Sequence, residues 1–241
     1  MMKMETLLIV TSLIAVAYCQ TLEWGVGQLP DPQKNPGKCG RYENKKSFVC
    51  DPNGILTRKE ADTLDWILEA VYNNDTKCSC SAYYCEKNKG RGTIISLALV
   101  NKVKRSQGSD NSKEAILYDA ELFLNDLQRT TWNHGTCDND IIILYSAADS
   151  VVYTMTGDTP KLKVNPSVIG QVTSEHEQDI LNGHIAGGLY HMILDYRNVL
   201  MGQYHTRLAK SQEPVGGASQ PVWSLASIIT LLIGFLLSTR F

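Results

Sequence analysis

The sequence has no excess of charge of either sign: 23 Lys and Arg stand against 25 Asp and Glu in 241 residues, for a formal net charge of -2. Without a basic surplus nothing neutralises a phosphate backbone, so nucleic acid is not the expected partner. The known signatures of catalysis are missing as well. There is no G-x-S-x-G, no P-loop and no H-E-x-x-H, and the glycines at 183, 187 and 188 do not follow a strand in a dinucleotide-binding arrangement. Internal repeats, heptads and low-complexity tracts are absent too. Histidine is sparse, at His134, His176, His184, His191 and His205; His184 and His191 are seven apart and share a helical face, with two satisfied or exposed side chains as the plainer reading.

What is present is apolar residues at 43% of the chain, enough for an ordinary core, and seven cysteines, an odd number for a disulfide framework. The ends of the chain bear on the seventh. Lys3 is followed by Leu7-Leu8-Ile9-Val10 and Leu13-Ile14-Ala15-Val16-Ala17, too short to span a bilayer and suited to a secretory signal. Small residues allow cleavage after Ala17 or after Cys19. Only the second, a signal over 1–19, removes a cysteine and leaves six.

At the other end, 222–238 is a run of 17 residues without charge, and only Thr239-Arg240-Phe241 follows, leaving almost no cytosolic tail. As a helix it measures roughly 25 Å against a hydrocarbon core of about 30 Å. It reads as a short membrane helix with Trp223 at the interface, or as a glycosyl-phosphatidylinositol signal with Gly216-Gly217-Ala218-Ser219 as the attachment region. Both place the folded part outside the cell, at the plasma membrane. Residues 20–38, punctuated by Pro30, Pro32, Pro36 and Gly37, form an extended leader; residues 208–221 form a stalk; 39–207 is the domain.

Within the domain, Thr57 and Glu60 make a capping box, and Ala61, Leu64, Ile67, Leu68, Val71 and Tyr72 continue at helical spacing. Residues 93–100 and 140–145 are buried strands, with a helix over 113–132, capped by Asn111 and Glu114, between them. Strand, helix, strand implies a parallel pair. The short connection to a third strand at 151–156 forces an antiparallel hairpin, so the sheet is mixed. Ser174 and Glu177 make another capping box, ahead of helical spacing that is interrupted at Asn182-Gly183 and gives two final helices. The fold class is α/β: three layers, with a small mixed sheet between helices.

The six remaining cysteines are Cys39, Cys50, Cys78, Cys80, Cys85 and Cys137. Their spacing is not the C-x2-C of zinc sites and the compartment is oxidising, so they form disulfides. Side chains of Cys78 and Cys80 diverge on an extended chain, which gives them different partners; the rest of the connectivity stays open. The insert over 73–89 is then a stapled loop, either purely structural or a rigid recognition surface. Asn74-Asp75-Thr76 is the usable glycosylation sequon, since Asn165 is followed by Pro166. Asp138 and Asp140 precede the second strand and Asp149 follows it; these acids are solubilising flanks or a carboxylate cluster for a divalent ion.

The run Val49-Cys50-Asp51-Pro52-Asn53-Gly54-Ile55-Leu56-Thr57, the order of elements and the late Gly183-His184-Ile185-Ala186-Gly187-Gly188-Leu189 resemble the TPM domain. The leader cysteines, the insert Cys78-Ser79-Cys80-Ser81-Ala82-Tyr83-Tyr84-Cys85 and the C-terminal apolar run make the chain look specifically like the modulator of levamisole receptor family of invertebrates. The resemblance covers 22–207. It implies an auxiliary protein of nicotinic acetylcholine-gated channels, with receptor subunits and the membrane as partners and no cofactor. Other TPM proteins imply an acid phosphatase or metal-binding ectoenzyme, with Asp51, Asp138, Asp140 and Asp149 as candidate residues. The sequence offers no nucleophile paired with a base, so catalysis is not carried over. An adhesive or scaffold domain for another receptor is the third reading.

Overall fold

The computed structural model describes residues 23–203. The expected signal with Cys19, the stalk and the apolar run at 222–238 lie outside the described residues. Among the described residues no helix is long and apolar enough to cross a membrane.

Four strands form one sheet in the order β1 (Val49–Cys50), β2 (Ile94–Val100), β3 (Asp140–Ser146) and β4 (Val151–Thr156). β1, β2 and β3 run parallel and β4 antiparallel, so the mixed sheet is as expected. Every residue of β2 and β3 is buried, which explains why both appear as unbroken apolar runs. β1 was not anticipated, because two residues carry no periodicity.

Among the described residues six α-helices accompany the sheet: α1 (Arg58–Ala70), α2 (Ala82–Lys87), α3 (Lys113–Asp126), α4 (Asp158–Lys161), α5 (Pro166–Leu181) and α6 (Ile185–Met201). The capping box at α1 is made: Thr57 Oγ1 accepts from the Glu60 N–H, and the Thr57 N–H donates to Glu60 Oε2 at 2.8 Å. Two expected caps are corrected. Ser112, not Asn111, caps α3 by accepting the Ala115 N–H, and Asp110 holds Ser112 in place. Ser174 and Glu177 sit inside α5, which begins earlier because Pro166 occupies its first position and Asn165 Oδ1 accepts the N–H groups of Ser167 and Val168. The break at Asn182-Gly183 does separate two helices.

Alternation along the strands divides the core. Ile95, Leu97, Leu99, Ile141 and Ile143 face α1, α5 and α6, while Ala98, Val100, Ile142 and Leu144 face α3. The three-layer α/β arrangement follows. On the α3 side, the leader covers what the helix leaves open: Trp24 bridges to Val103, Leu29 is buried, and Pro36–Cys39 forms a 3-10 turn. α1 and α3 each run on into a wider π turn, over Val71–Asp75 and Leu127–Thr131, before the chain returns toward the sheet. Behind the first turn a Cβ on Gly92 would lie 1.9 Å from Thr76 Oγ1, so only glycine fits where the chain enters β2.

Candidate functional site

All six expected cysteines are paired, as Cys39–Cys50, Cys78–Cys85 and Cys80–Cys137. Cys78 and Cys80 have different partners, as their spacing required. The first bond holds the leader's 3-10 turn to β1. The other two act on the excursion between α1 and β2: Cys78–Cys85 closes a small ring around α2, and Cys80–Cys137 fastens that ring to the loop before β3. Asn88 Nδ2 adds a hydrogen bond to Thr136 Oγ1 at 3.2 Å across the same junction. On this doubly anchored piece Tyr83 is 69% and Tyr84 37% exposed, their rings edge to face at 5.4 Å. A hydrophobic pair fixed by covalent bonds loses little further freedom when it meets a partner, which is the property of a recognition surface. Asn74, at the root of the excursion, is exposed.

The four aspartates fall at opposite ends of the sheet. Asp51 follows β1 and turns the chain into α1, its carboxylate accepting the N–H groups of Ile55 at 2.9 Å and Leu56 at 2.8 Å. Burial raises its pKa, against those bonds. Asp149 closes the β3–β4 hairpin; it accepts from Ser146 Oγ at 2.6 Å and the Val103 N–H at 3.1 Å and pairs with Arg105. Asp138 is exposed at the other end, with its backbone in the left-handed region at φ 50°. Asp140 beside it is buried, and burial, reinforced by the Asp138 charge, pushes its pKa up to about 6 against the pull of its own N–H, Gln128 and His134. Among the described residues, the one His/Cys/Asp/Glu group with ligand atoms all within 4.8 Å is Glu175, His176 and Asp195, and it contains none of these four.

Two polar arrangements escaped the sequence. The first is a buried chain in which the His134 Nε2–H donates to Asp31 Oδ1 at 2.9 Å while Nδ1 faces Ser96 Oγ at 3.4 Å. It has the composition of a catalytic triad, but Ser96 is 1% exposed in the middle of β2, and the Trp132 ring stacks on His134 at 5.5 Å. The chain is a polar seam between leader and core. Asp31 also pairs with Lys34 at 2.9 Å; burial works to raise its pKa, but the bonds from His134, Lys34 and the Gln33 N–H hold it at about 2. The second arrangement lies between α5 and α6. His191 stacks on His176 rather than pairing with His184, which sits at the start of α6.

Fold and surface together define a disulfide-stapled α/β domain that presents a rigid aromatic excursion. A family model described as modulator of levamisole receptor-1 matches residues 24–150, a span holding all three disulfides and the Tyr83–Tyr84 pair, and the chain belongs to that family. No curated protein matches the chain. Among solved structures it is similar to the N-terminal domain of a protein from P. gingivalis, determined by solution NMR, at 15% identity and a TM-score of 0.43, over 64% of this chain and 82% of that one.

Proposed function

We propose that the chain is an auxiliary modulator of a nicotinic acetylcholine-gated channel of the levamisole type, held at the cell surface with residues 39–207 outside the cell. The family match over 24–150 carries this reading. Three disulfides suit an oxidising compartment, and an exposed Asn74 suits a glycan there. The apolar run at 222–238, as a membrane helix or an anchor signal, would keep the domain beside the channel through the stalk at 208–221.

A tethered domain can alter gating only by contacting one receptor state better than another. The stapled excursion is the part built for that contact, with Tyr83 and Tyr84 as anchors on a backbone that the two disulfides stop from adapting. The test is co-expression with levamisole-type receptor subunits. Agonist-evoked currents are expected to grow and the chain to co-purify with the receptor; unchanged currents without co-purification overturn the proposal.

A further inference from the structure

α5 and α6 form a hairpin whose close approach depends on Gly188. A Cβ there would sit 2.3 Å from Ile180 Cγ1 and 3.4 Å from the His176 carbonyl, so α6 lies against α5 at the level of His176. The approach joins side chains of two helices into one cluster. His176 Nε2 is 2.7 Å from Asp195 Oδ2, and the His191 ring stacks on His176 at 5.8 Å with the planes 20° apart. His191 and Asp195, four residues apart on α6, share the face that meets α5. Glu175 completes the group: one oxygen of each carboxylate and one nitrogen of His176 lie within 4.8 Å of one another. The side chains of His176 and Asp195 are 14% and 22% exposed, so the cluster is shielded yet open to a small solute.

One imidazole with two carboxylates is a three-ligand set of the kind zinc accepts, with the fourth position left to water. The imidazole favours a transition cation over calcium or magnesium, which take oxygen donors. A cation between His176 and Asp195 replaces the proton they now share, and only small side-chain movements bring the three donors to bonding distance. His191 holds the His176 ring by stacking and leaves Nε2 directed at Asp195.

We propose that Glu175, His176 and Asp195 bind one zinc ion, with His191 as a positioning residue, and that the ion clips α5 to α6. The site lies outside the residues 24–150 that match the family and does not depend on the proposed receptor role.

The test uses the full chain, stripped with a chelator and dialysed against micromolar zinc chloride. One equivalent of zinc is expected to be retained, and zinc but not magnesium is expected to raise the melting temperature. His176→Gln and Asp195→Asn are expected to weaken binding at least tenfold, and His191→Ala to weaken it less. Cobalt loading of the unmutated chain is expected to give visible ligand-field absorption, a readout that survives a failure of any variant to fold. No retained zinc and no cobalt spectrum in the unmutated chain, or undiminished affinity in folded His176→Gln and Asp195→Asn chains, overturns the proposal.

Discussion

His134 Nε2 lies 2.9 Å from Asp31 Oδ1, joining residues 103 apart in sequence and sealing the leader to the loop that follows α3. Both side chains are nearly inaccessible, at 5% and 4% exposure, so removing Asp31 leaves the buried His134 Nε2–H without its acceptor. Asp31→Ala is expected to cost about 2 kcal/mol in urea unfolding at neutral pH. The pH dependence follows from a folded pKa of about 2 against an ordinary 3.8. The contribution is complete above pH 3.8 and lost as pH falls through about 2. The unmutated chain should therefore lose more stability in that window than the variant.

Asp140 behaves in the opposite sense. Its folded pKa of about 6 lies above the ordinary 3.8, so the folded state holds the proton more tightly. The protonated form brings no penalty below pH 3.8; the cost of burying the charge grows as pH rises and is complete above about 6. Asp140 Oδ2 has no hydrogen-bond partner to offset that cost. Asp140→Asn is expected to raise stability at pH 7 by on the order of 3 kcal/mol and to flatten the profile between pH 4 and 6. Chemical denaturation across that range measures both.

The two disulfides of the excursion differ in the loops they close, 57 residues for Cys80–Cys137 and 7 for Cys78–Cys85. Loop-closure entropy puts their contributions at about 4 and about 2 kcal/mol. Paired serine substitutions at each bond, compared by denaturant unfolding, should reproduce that order. The larger bond also fixes the excursion to the domain, so its loss should weaken channel modulation as well.

Tyr83 and Tyr84 are exposed and set edge to face on each other, and their replacement should separate function from folding. The double Tyr83→Ala, Tyr84→Ala chain is expected to keep its stability within about 0.5 kcal/mol. It is expected to lose most of its effect on agonist-evoked currents, since exposed aromatic anchors carry a large share of interface energy. Melting curves and co-expression recordings read the two quantities separately.

Local chemistry was legible in the sequence and long-range polar chemistry was not. Thr57 and Glu60 announce α1 because both halves of the capping box lie within four residues. Buried β2 and β3 show as apolar runs, and the helix between them fixes their parallel pairing. The same local reading misplaced the start of α5, since Ser174 and Glu177 have capping-box spacing inside a helix that Asn165 had already capped. β1 escaped because it owes its strand character entirely to β2. Ser96, His134 and Asp31 stand 38 and 103 residues apart, and no spacing rule joins them. The α5–α6 cluster had a partial signal in the closely spaced His176, His184 and His191, but the pairing of His176 with Asp195 depends on Gly188 letting two helices touch.

If the domain distinguishes receptor states as proposed, its affinity for the receptor differs with and without agonist. Full-length chain and receptor, both solubilised, can be titrated in each condition. Binding is expected to be tighter when agonist is present, by the same factor that the chain adds to agonist affinity. Equal affinity in the two conditions would contradict it, because a partner that binds both states alike shifts neither.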